Sequence, residues 1–199
     1  MSDTTVQRLR GALTGITPLA WGAYGLAIAV IVVDQVAKTL ALGAFVNHCP
    51  ELKGHLSLAG ITLCQIPVWP GAFNMTLVWN GGMSFGLFRG GADLSRWALA
   101  VFAVGVSVAL AWWVRRSDKR LFALAAGCLM GGALGNVIDR FRFGAVVDFL
   151  DFNGLMHGFF PWIFNVADSA ITLGAIALLV EAFGPAIRSW LASKRESGN

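Results

Sequence analysis

Charged side chains are scarce in this chain. Only 13% of its 199 residues are Asp, Glu, Lys or Arg, whereas soluble domains average about 25%. Hydrophobic residues make up 56% of the sequence, and its mean hydropathy is +0.67. This composition excludes an ordinary soluble domain and indicates an integral membrane protein.

Several functional motifs are also missing. The three histidines have no metal-ligand spacing with each other or with the three cysteines, so we expect no metal and no cofactor. No basic patch interleaved with aromatic residues occurs, so the net charge of +4 does not suggest a nucleic-acid partner. No serine-nucleophile motif or glycine-rich phosphate loop is present either. Cys49 and Cys64 lie in the same predicted connection and could pair in an oxidising compartment, but we expect two unpaired thiols.

Four apolar runs are long enough to cross a bilayer, which takes roughly 17–25 helical residues. The predicted spans cover residues 21–42, 97–114, 121–138 and 164–180. They leave two long connections, residues 43–96 and 139–163. We expect residues 1–199 to form one membrane domain, with segment 183–194 as a short amphipathic tail on the cytoplasmic face.

Basic residues predict the orientation of these spans, because they mark cytoplasmic segments. They lie before span one, between spans two and three, and after span four: Arg8, Arg10, Arg115, Arg116, Lys119, Arg120, Arg188, Lys194 and Arg195. Both termini are therefore expected in the cytoplasm, and both long connections outside it.

Alternation in residues 73–79 predicts a short strand, followed by a turn at Asn80-Gly81-Gly82. The predicted fold is an all-α polytopic membrane protein of four transmembrane helices, with a small extracytoplasmic β-like platform after helix one.

Polar residues near the predicted spans need a physical reason. Asp34 and Lys38 are four residues apart and can pair on one helix face. They could form a structural ion pair near a helix end, with Lys38 reaching to the interface, or orient a polar site. Asn80 is a turn residue on the simplest interpretation. A stripe of small residues in span three predicts close helix contact, and it consists of Gly127, Gly131, Gly132 and Gly135.

Further polar residues follow that stripe. Asn136 and Arg140 project from one face, and the pair Asp139-Arg140 could anchor span three at the interface or place a positive charge beside carboxylates. Asn165 shares a face with Asp168 and could cap span four.

Asp148 and Asp168 are the most informative residues. Asp168 lies inside span four, which contains no Lys or Arg, and a carboxylate at membrane depth costs at least ~2.5 kcal/mol. The simplest interpretation of Asp148 and its neighbour Asp151 is a pair of solvated loop carboxylates. Two carboxyls near one water molecule can divide acid and base roles in peptide hydrolysis. From these residues alone, an aspartic hydrolase and a proton- or ion-coupled carrier stay comparable.

Five segments in order resemble bacterial lipoprotein signal peptidase, also called signal peptidase II. They are Asp34-Gln35-Val-Ala-Lys38, Asn80-Gly-Gly-Met-Ser-Phe85, Gly131-Gly-Ala-Leu-Gly-Asn-Val-Ile-Asp-Arg140, Val146-Val-Asp-Phe149 and Phe164-Asn-Val-Ala-Asp-Ser169. The resemblance covers about residues 30–180. Met83-Ser84 departs from the family's common small pair, and segment 46–72 looks longer than usual.

The resemblance implies an aspartyl protease of the bacterial inner membrane, with its active site near the extracytoplasmic face. Such an enzyme removes the signal peptide from diacylglyceryl-modified prolipoproteins, before the lipidated cysteine, and is the target of cyclic peptides such as globomycin. The family's catalytic pair falls on Asp148 and Asp168. Its supporting residues fall on Asp34, Lys38, Asn80, Asn136, Asp139, Arg140 and Asn165. We also expect membrane lipid as a partner, a monomer, and a lid over the bound peptide formed by residues 79–88.

These assignments agree with the positions of the residues in the predicted topology. The connections that carry Asn80 and Asp148 lie on one side of the membrane, and Asp168 is close to the same side. A carrier would need a polar path to the other side, but spans two and three carry no charge, and no inverted repeat is present. A purely structural membrane protein leaves the unneutralised Asp168 unexplained. The peptidase is therefore the preferred interpretation.

Overall fold

The computed structural model describes residues 15–49, 62–82, 92–153, 155 and 162–196, and within them the chain forms four long helices and three strands. The helices are α1 (Pro18–His48), α2 (Ala92–Val114), α3 (Arg120–Phe143) and α4 (Val166–Glu196). The strands are β1 (Thr62–Trp69), β2 (Phe73–Asn80) and β3 (Val146–Asp151). All four helices are long and apolar enough to span a membrane, which confirms the predicted multi-pass membrane fold.

Helix α3 is the centre of the bundle. In its most apolar stretch 61% of the residues are buried, against 22% or less in the other helices. Its glycines allow this position because a Cβ at Gly131 would lie 2.7 Å from the carbonyl oxygen of Ala27 in α1, and one at Gly132 would overlap that of Ala167 in α4. The predicted close contact along the glycine stripe is confirmed. Large apolar side chains of α1, α2 and α4 remain exposed, as expected for surfaces that face lipid.

The ends of the helices are fixed locally. Thr17 caps α1 by accepting the N–H of Ala20 over 3.2 Å, with Pro18 at the first helical position. The Thr17 hydroxyl also donates to the carbonyl oxygen of Ser117, which ties the start of α1 to the connection after α2. At the other end of the bundle α3 stops at Gly144, whose φ of +82° is readily adopted by glycine. We call the end with residues 115–120 the basic end and the opposite one the sheet end.

The three strands form one antiparallel sheet in the order β1-β2-β3. The β1–β2 hairpin turns at Gly71, whose φ is +77°. Strand β3 joins from the later connection and pairs Val78 with Asp148 and Asn80 with Val146. One sheet face covers a hydrophobic cluster against α1, which includes Phe45, Leu77, Trp79, Val147 and Phe149. The predicted platform after helix one is therefore confirmed, but the sequence analysis missed its third strand.

Two expectations about the polypeptide chain were wrong. Cys49 and Cys64 form a disulfide, because the hairpin returns β1 to the end of α1 and brings the two Cα atoms within 6.3 Å. Segment 183–194 is not a separate tail, because α4 continues through Pro185 to Glu196. Residues 83–88 of the expected lid lie outside the described residues. Trp79, expected in the same lid, is buried in the cluster beneath the sheet.

Candidate active site

The two acids singled out by the sequence are brought together at the sheet end of the bundle. Asp148 lies on β3 and is only 2% exposed, so the simplest interpretation of this residue, a solvated loop carboxylate, was wrong. Asp168 lies in the first turn of α4 and is half-buried. Their charges interact, and the side chain of Asn165 connects them.

Asn165 has two roles at this point. Its side-chain oxygen accepts the N–H of Asp168 over 2.9 Å, and Asp168 Oδ2 accepts the N–H of Asn165 over 3.2 Å. This reciprocal arrangement is a capping box, so the predicted cap of the last span is confirmed. The amide nitrogen of Asn165 donates to Asp148 Oδ1 over 2.7 Å and to Asn136 Oδ1 over 3.2 Å. The start of α4 and the carboxyl of β3 are therefore held by one side chain.

Each carboxyl has further amide donors. Asn80 Nδ2 donates to Asp148 Oδ2 over 3.0 Å, and its own Oδ1 accepts the N–H of Gly82 over 2.9 Å. Asn80 is thus both a turn residue and a partner of Asp148. Asn136 Nδ2 donates to Asp168 Oδ1 over 2.8 Å. These contacts fix the orientation of both carboxyl groups.

A buried ion network lies beneath this pair. Lys38 Nζ is 2.8 Å from Asp34 Oδ2 and 2.7 Å from Asp139 Oδ2, and it donates to Asn136 Oδ1 over 3.0 Å. Lys38 is 1% exposed, so the interpretation that it reaches to the interface was wrong. Asp34 also accepts the N–H of Ala167 over 2.9 Å. The predicted pair of Asp34 and Lys38 therefore lies next to the candidate site.

Two residues of α3 contribute at its sheet end. Asp139 is fully buried and accepts the N–H of Val147 over 3.1 Å, which attaches β3 to the helix. Arg140 donates to the carbonyl oxygen of Asn136 over 3.1 Å and lies close to Gly82. Its positive charge acts on Asp168, Asp139 and Asp148. Asp139 and Arg140 are therefore more than interface anchors.

Gln35 is a residue that the sequence analysis did not select. Its amide nitrogen donates to Asp139 Oδ1 over 2.8 Å and to Asp34 Oδ2 over 3.3 Å. Its oxygen accepts from Arg142 over 2.8 Å. The sequence signal that could have identified Gln35 is its position directly after Asp34, in a segment whose other polar residues were predicted to support the site.

Burial, together with the neighbouring charge of Asp168, raises the pKa of Asp148 to about 7. The hydrogen bonds from Asn80 and Asn165 act in the opposite direction, because they stabilise the ionised carboxylate. A carboxyl that titrates near neutral pH, beside a second carboxyl, is suited to acid and base catalysis. Within the part of the chain that the structure describes, no group of three His, Cys, Asp or Glu side chains could hold a metal ion.

Comparisons with known proteins agree with this geometry. The family model described as Signal peptidase (SPase) II matches residues 26–184. The chain is 40% identical to a lipoprotein signal peptidase of Caulobacter vibrioides over 169 residues, which cover 84% of this chain and 90% of the relative. It is 38% identical to one of Nitrobacter hamburgensis over 170 residues, which cover 84% and 94%.

Solved structures show the same fold. One structure of a bacterial membrane enzyme superposes with a TM-score of 0.61 at 27% identity, covering 82% of this chain and 88% of the other. A second structure of a bacterial membrane enzyme superposes with a TM-score of 0.60 at 27% identity, covering 81% of this chain and 92% of the other. With the family match and these relatives, the chain belongs to the signal peptidase II family.

Proposed function

We propose that this protein is an aspartic endopeptidase that removes the signal peptide from diacylglyceryl-modified prolipoproteins, cutting before the lipidated cysteine. The main observation behind the proposal is that Asn165 contacts both acids. Its side-chain amide donates to the carboxyl of Asp148, and its backbone N–H donates to the carboxyl of Asp168. The relatives are named lipoprotein signal peptidases, and this supports the substrate class.

The proposed mechanism uses one proton shared by the pair. Because burial and Asp168 raise the pKa of Asp148 to about 7, the two carboxyls do not both ionise easily at neutral pH. The ionised carboxyl accepts a proton from a water molecule, whose oxygen bonds to the peptide carbonyl carbon. The protonated carboxyl donates to the carbonyl oxygen. When the carbon–nitrogen bond breaks, the leaving amine receives a proton from the pair.

The surrounding residues have supporting roles in this proposal. Asn80 and Asn165 hold the two oxygens of Asp148, and Asn136 holds Asp168. Arg140 supplies a positive charge beside the reacting carbonyl, where negative charge develops. The three charges of Asp34, Lys38 and Asp139 form a fixed layer beneath the pair.

We place the site near the extracytoplasmic face of a bacterial inner membrane, with both termini in the cytoplasm. The basic connection at residues 115–120 lies opposite the sheet end, and basic connections are typically cytoplasmic. The disulfide between Cys49 and Cys64 supports the same orientation, because such bonds persist in oxidising compartments. A diacylglyceryl group can stay in the bilayer while the attached peptide reaches Asp148. A cyclic peptide such as globomycin would occupy the same site, and a monomer suffices for this chemistry.

The decisive experiment is cleavage of a diacylglyceryl-modified prolipoprotein by purified protein in detergent. Asp148→Asn and Asp168→Asn keep the shape of each side chain and remove its acid. Asp118→Asn is the matched control, since Asp118 is exposed at the basic end. We expect the wild type and the control to cut before the lipidated cysteine. The variants Asp148→Asn and Asp168→Asn, which change the catalytic dyad, should each lose nearly all activity while remaining folded. An inactive wild type, or active dyad variants, would refute the proposal.

A further inference from the structure

A second hydrogen-bond network, centred on the buried carboxylate of Asp151, crosses the sheet away from the candidate active site. Asp151, at the end of β3, is 6% exposed, so the expectation of a solvated loop carboxylate was wrong. Its Oδ2 accepts the hydroxyl of Thr76 on β2 over 2.7 Å and the amide of Gln65 on β1 over 3.3 Å. Gln65 also donates to the Thr76 hydroxyl over 3.2 Å. One carboxylate therefore links all three strands, and the proposed chemistry does not use it.

Thr76 lies in an irregularity of the sheet. Met75 pairs with Leu150, but Val78 pairs with Asp148, so two residues of β2, Thr76 and Leu77, face the single residue between those partners on β3. This is a β-bulge, in which one strand carries one extra residue. The hydrogen bond from Thr76 to Asp151 attaches the extra residue to β3.

The bulge determines which face Asn80 occupies. Beyond it, Val78 lies opposite Asp148, so Val78 and Asn80 share the face of Asp148. Without the extra residue, Leu77 and Trp79 would occupy that face and Asn80 would point the other way, because a one-residue slip reverses every side chain. The contact from Asn80 Nδ2 to Asp148 Oδ2 therefore depends on the bulge.

We propose that Thr76 and Asp151 are positioning residues for the active site, which hold the β2 bulge and thereby keep Asn80 on Asp148. The hydroxyl of Thr76 is the link, because its hydrogen bond to a buried carboxylate is charge-assisted and stronger than a neutral one. Gln65 supports the link from β1. This inference rests on the proposed peptidase function for its kinetic consequence, but not for the strand geometry.

The kinetic test compares Thr76→Val, which removes the hydroxyl at equal size, with Thr76→Ser, which keeps it. We expect kcat of Thr76→Val to fall at least about tenfold, since misplacement by ~1 Å can cost ~100-fold. KM should change less than kcat, and Thr76→Ser should retain most activity. Thr39→Val, which removes an exposed hydroxyl on α1, is the control and should behave as wild type.

A double-mutant cycle separates positioning from general destabilisation. In single turnovers with excess enzyme, Thr76→Val should have little further effect once Asn80→Ala is present, because both act through the same contact. Equal losses in the two backgrounds would overturn the proposal, as would Thr76→Ser losing as much activity as Thr76→Val.

Hydrogen exchange tests the strand geometry without any cleavage. In Thr76→Val, the backbone amides of residues 73–80 and 146–151 should exchange faster than in wild type, while those of α1 and α3 should not. Unchanged exchange in the strands would overturn the inference. If the wild type cut no substrate, the proposed function would fail, and the exchange result would still decide whether Thr76 holds the bulge.

Discussion

Asp34 of the first helix caps the last helix by accepting the backbone N–H of Ala167 over 2.9 Å. The first N–H groups of a helix have no partner within it, so a buried helix start needs an outside acceptor. The other carboxylate oxygen lies 2.8 Å from Lys38. Asp34 therefore joins α1, α4 and the ion network, which explains why it is stable at membrane depth.

Removing the Asp34 carboxylate should destabilise the protein strongly. Asp34→Ala leaves the Ala167 N–H without this acceptor and removes one of two carboxylates from buried Lys38, and breaking a buried pair costs about 3–5 kcal/mol. We expect a much lower Tm in detergent. Glu181→Gln is the control, because its pair with Lys119 is partly exposed and such pairs contribute about 0–1 kcal/mol. Equal shifts in Tm for the two variants would contradict this account.

Asn165→Ala should reduce catalysis more than it reduces stability. The variant loses a helix cap, which costs about 0.5–2 kcal/mol, and it loses the contact that orients Asp148. We expect kcat to fall about 100-fold, as for a catalytic group displaced by ~1 Å. Asn153→Ala is a suitable control, since Asn153 is exposed and donates to Asp151 through its backbone N–H, which the substitution keeps. If Asn165→Ala kept the wild-type kcat, the orientation of Asp148 and Asp168 would not depend on the Asn165 side chain, and this prediction would be wrong.

The raised pKa of Asp148 predicts how stability changes with pH. The folded value is about 7 and the ordinary value is 3.8, so between these limits the unfolded chain has lost a proton that the folded chain keeps. The contribution of Asp148 to the free energy of unfolding is therefore fully present below about pH 4 and is lost as the pH rises through about 7. Asp148→Asn cannot ionise and lacks this dependence.

We therefore expect the Tm of Asp148→Asn, relative to wild type, to rise between pH 5 and pH 8. At about 2–4 °C per kcal/mol for a chain of this size, the change should reach several degrees. Thermal unfolding in detergent at both pH values measures it, with Asp118→Asn as the variant that should show no such trend. A constant difference between Asp148→Asn and wild type would mean that the carboxyl titrates normally in the fold.

The sequence predicted the helices well because each span is a long apolar run that needs no distant partner. The site residues were also recognisable, since acids and amides such as Asp168 and Asn165 are conspicuous within apolar segments. Residues 146–151 were harder to assign, because this short strand pairs with β2, which lies about 70 positions earlier in the chain. Thr76 gave no signal at all, since its bulge appears only in the register of two strands.

The disulfide between Cys49 and Cys64 was also not predictable from the sequence, because the sequence does not reveal that β1 returns to the end of α1. Closing a loop of 15 residues stabilises a protein by about 3 kcal/mol, chiefly by restricting the unfolded chain. We expect reduction to lower the Tm of the wild type and of Cys128→Ser, whose cysteine is free. The double variant Cys49→Ser/Cys64→Ser should start at the lower Tm and not respond to reductant. Thiol labelling should first show that the disulfide is completely reduced. If the Tm of the wild type were then unchanged, this prediction would be contradicted, and the packing of Cys64 in the cluster beneath the sheet would hold the hairpin without the covalent bond.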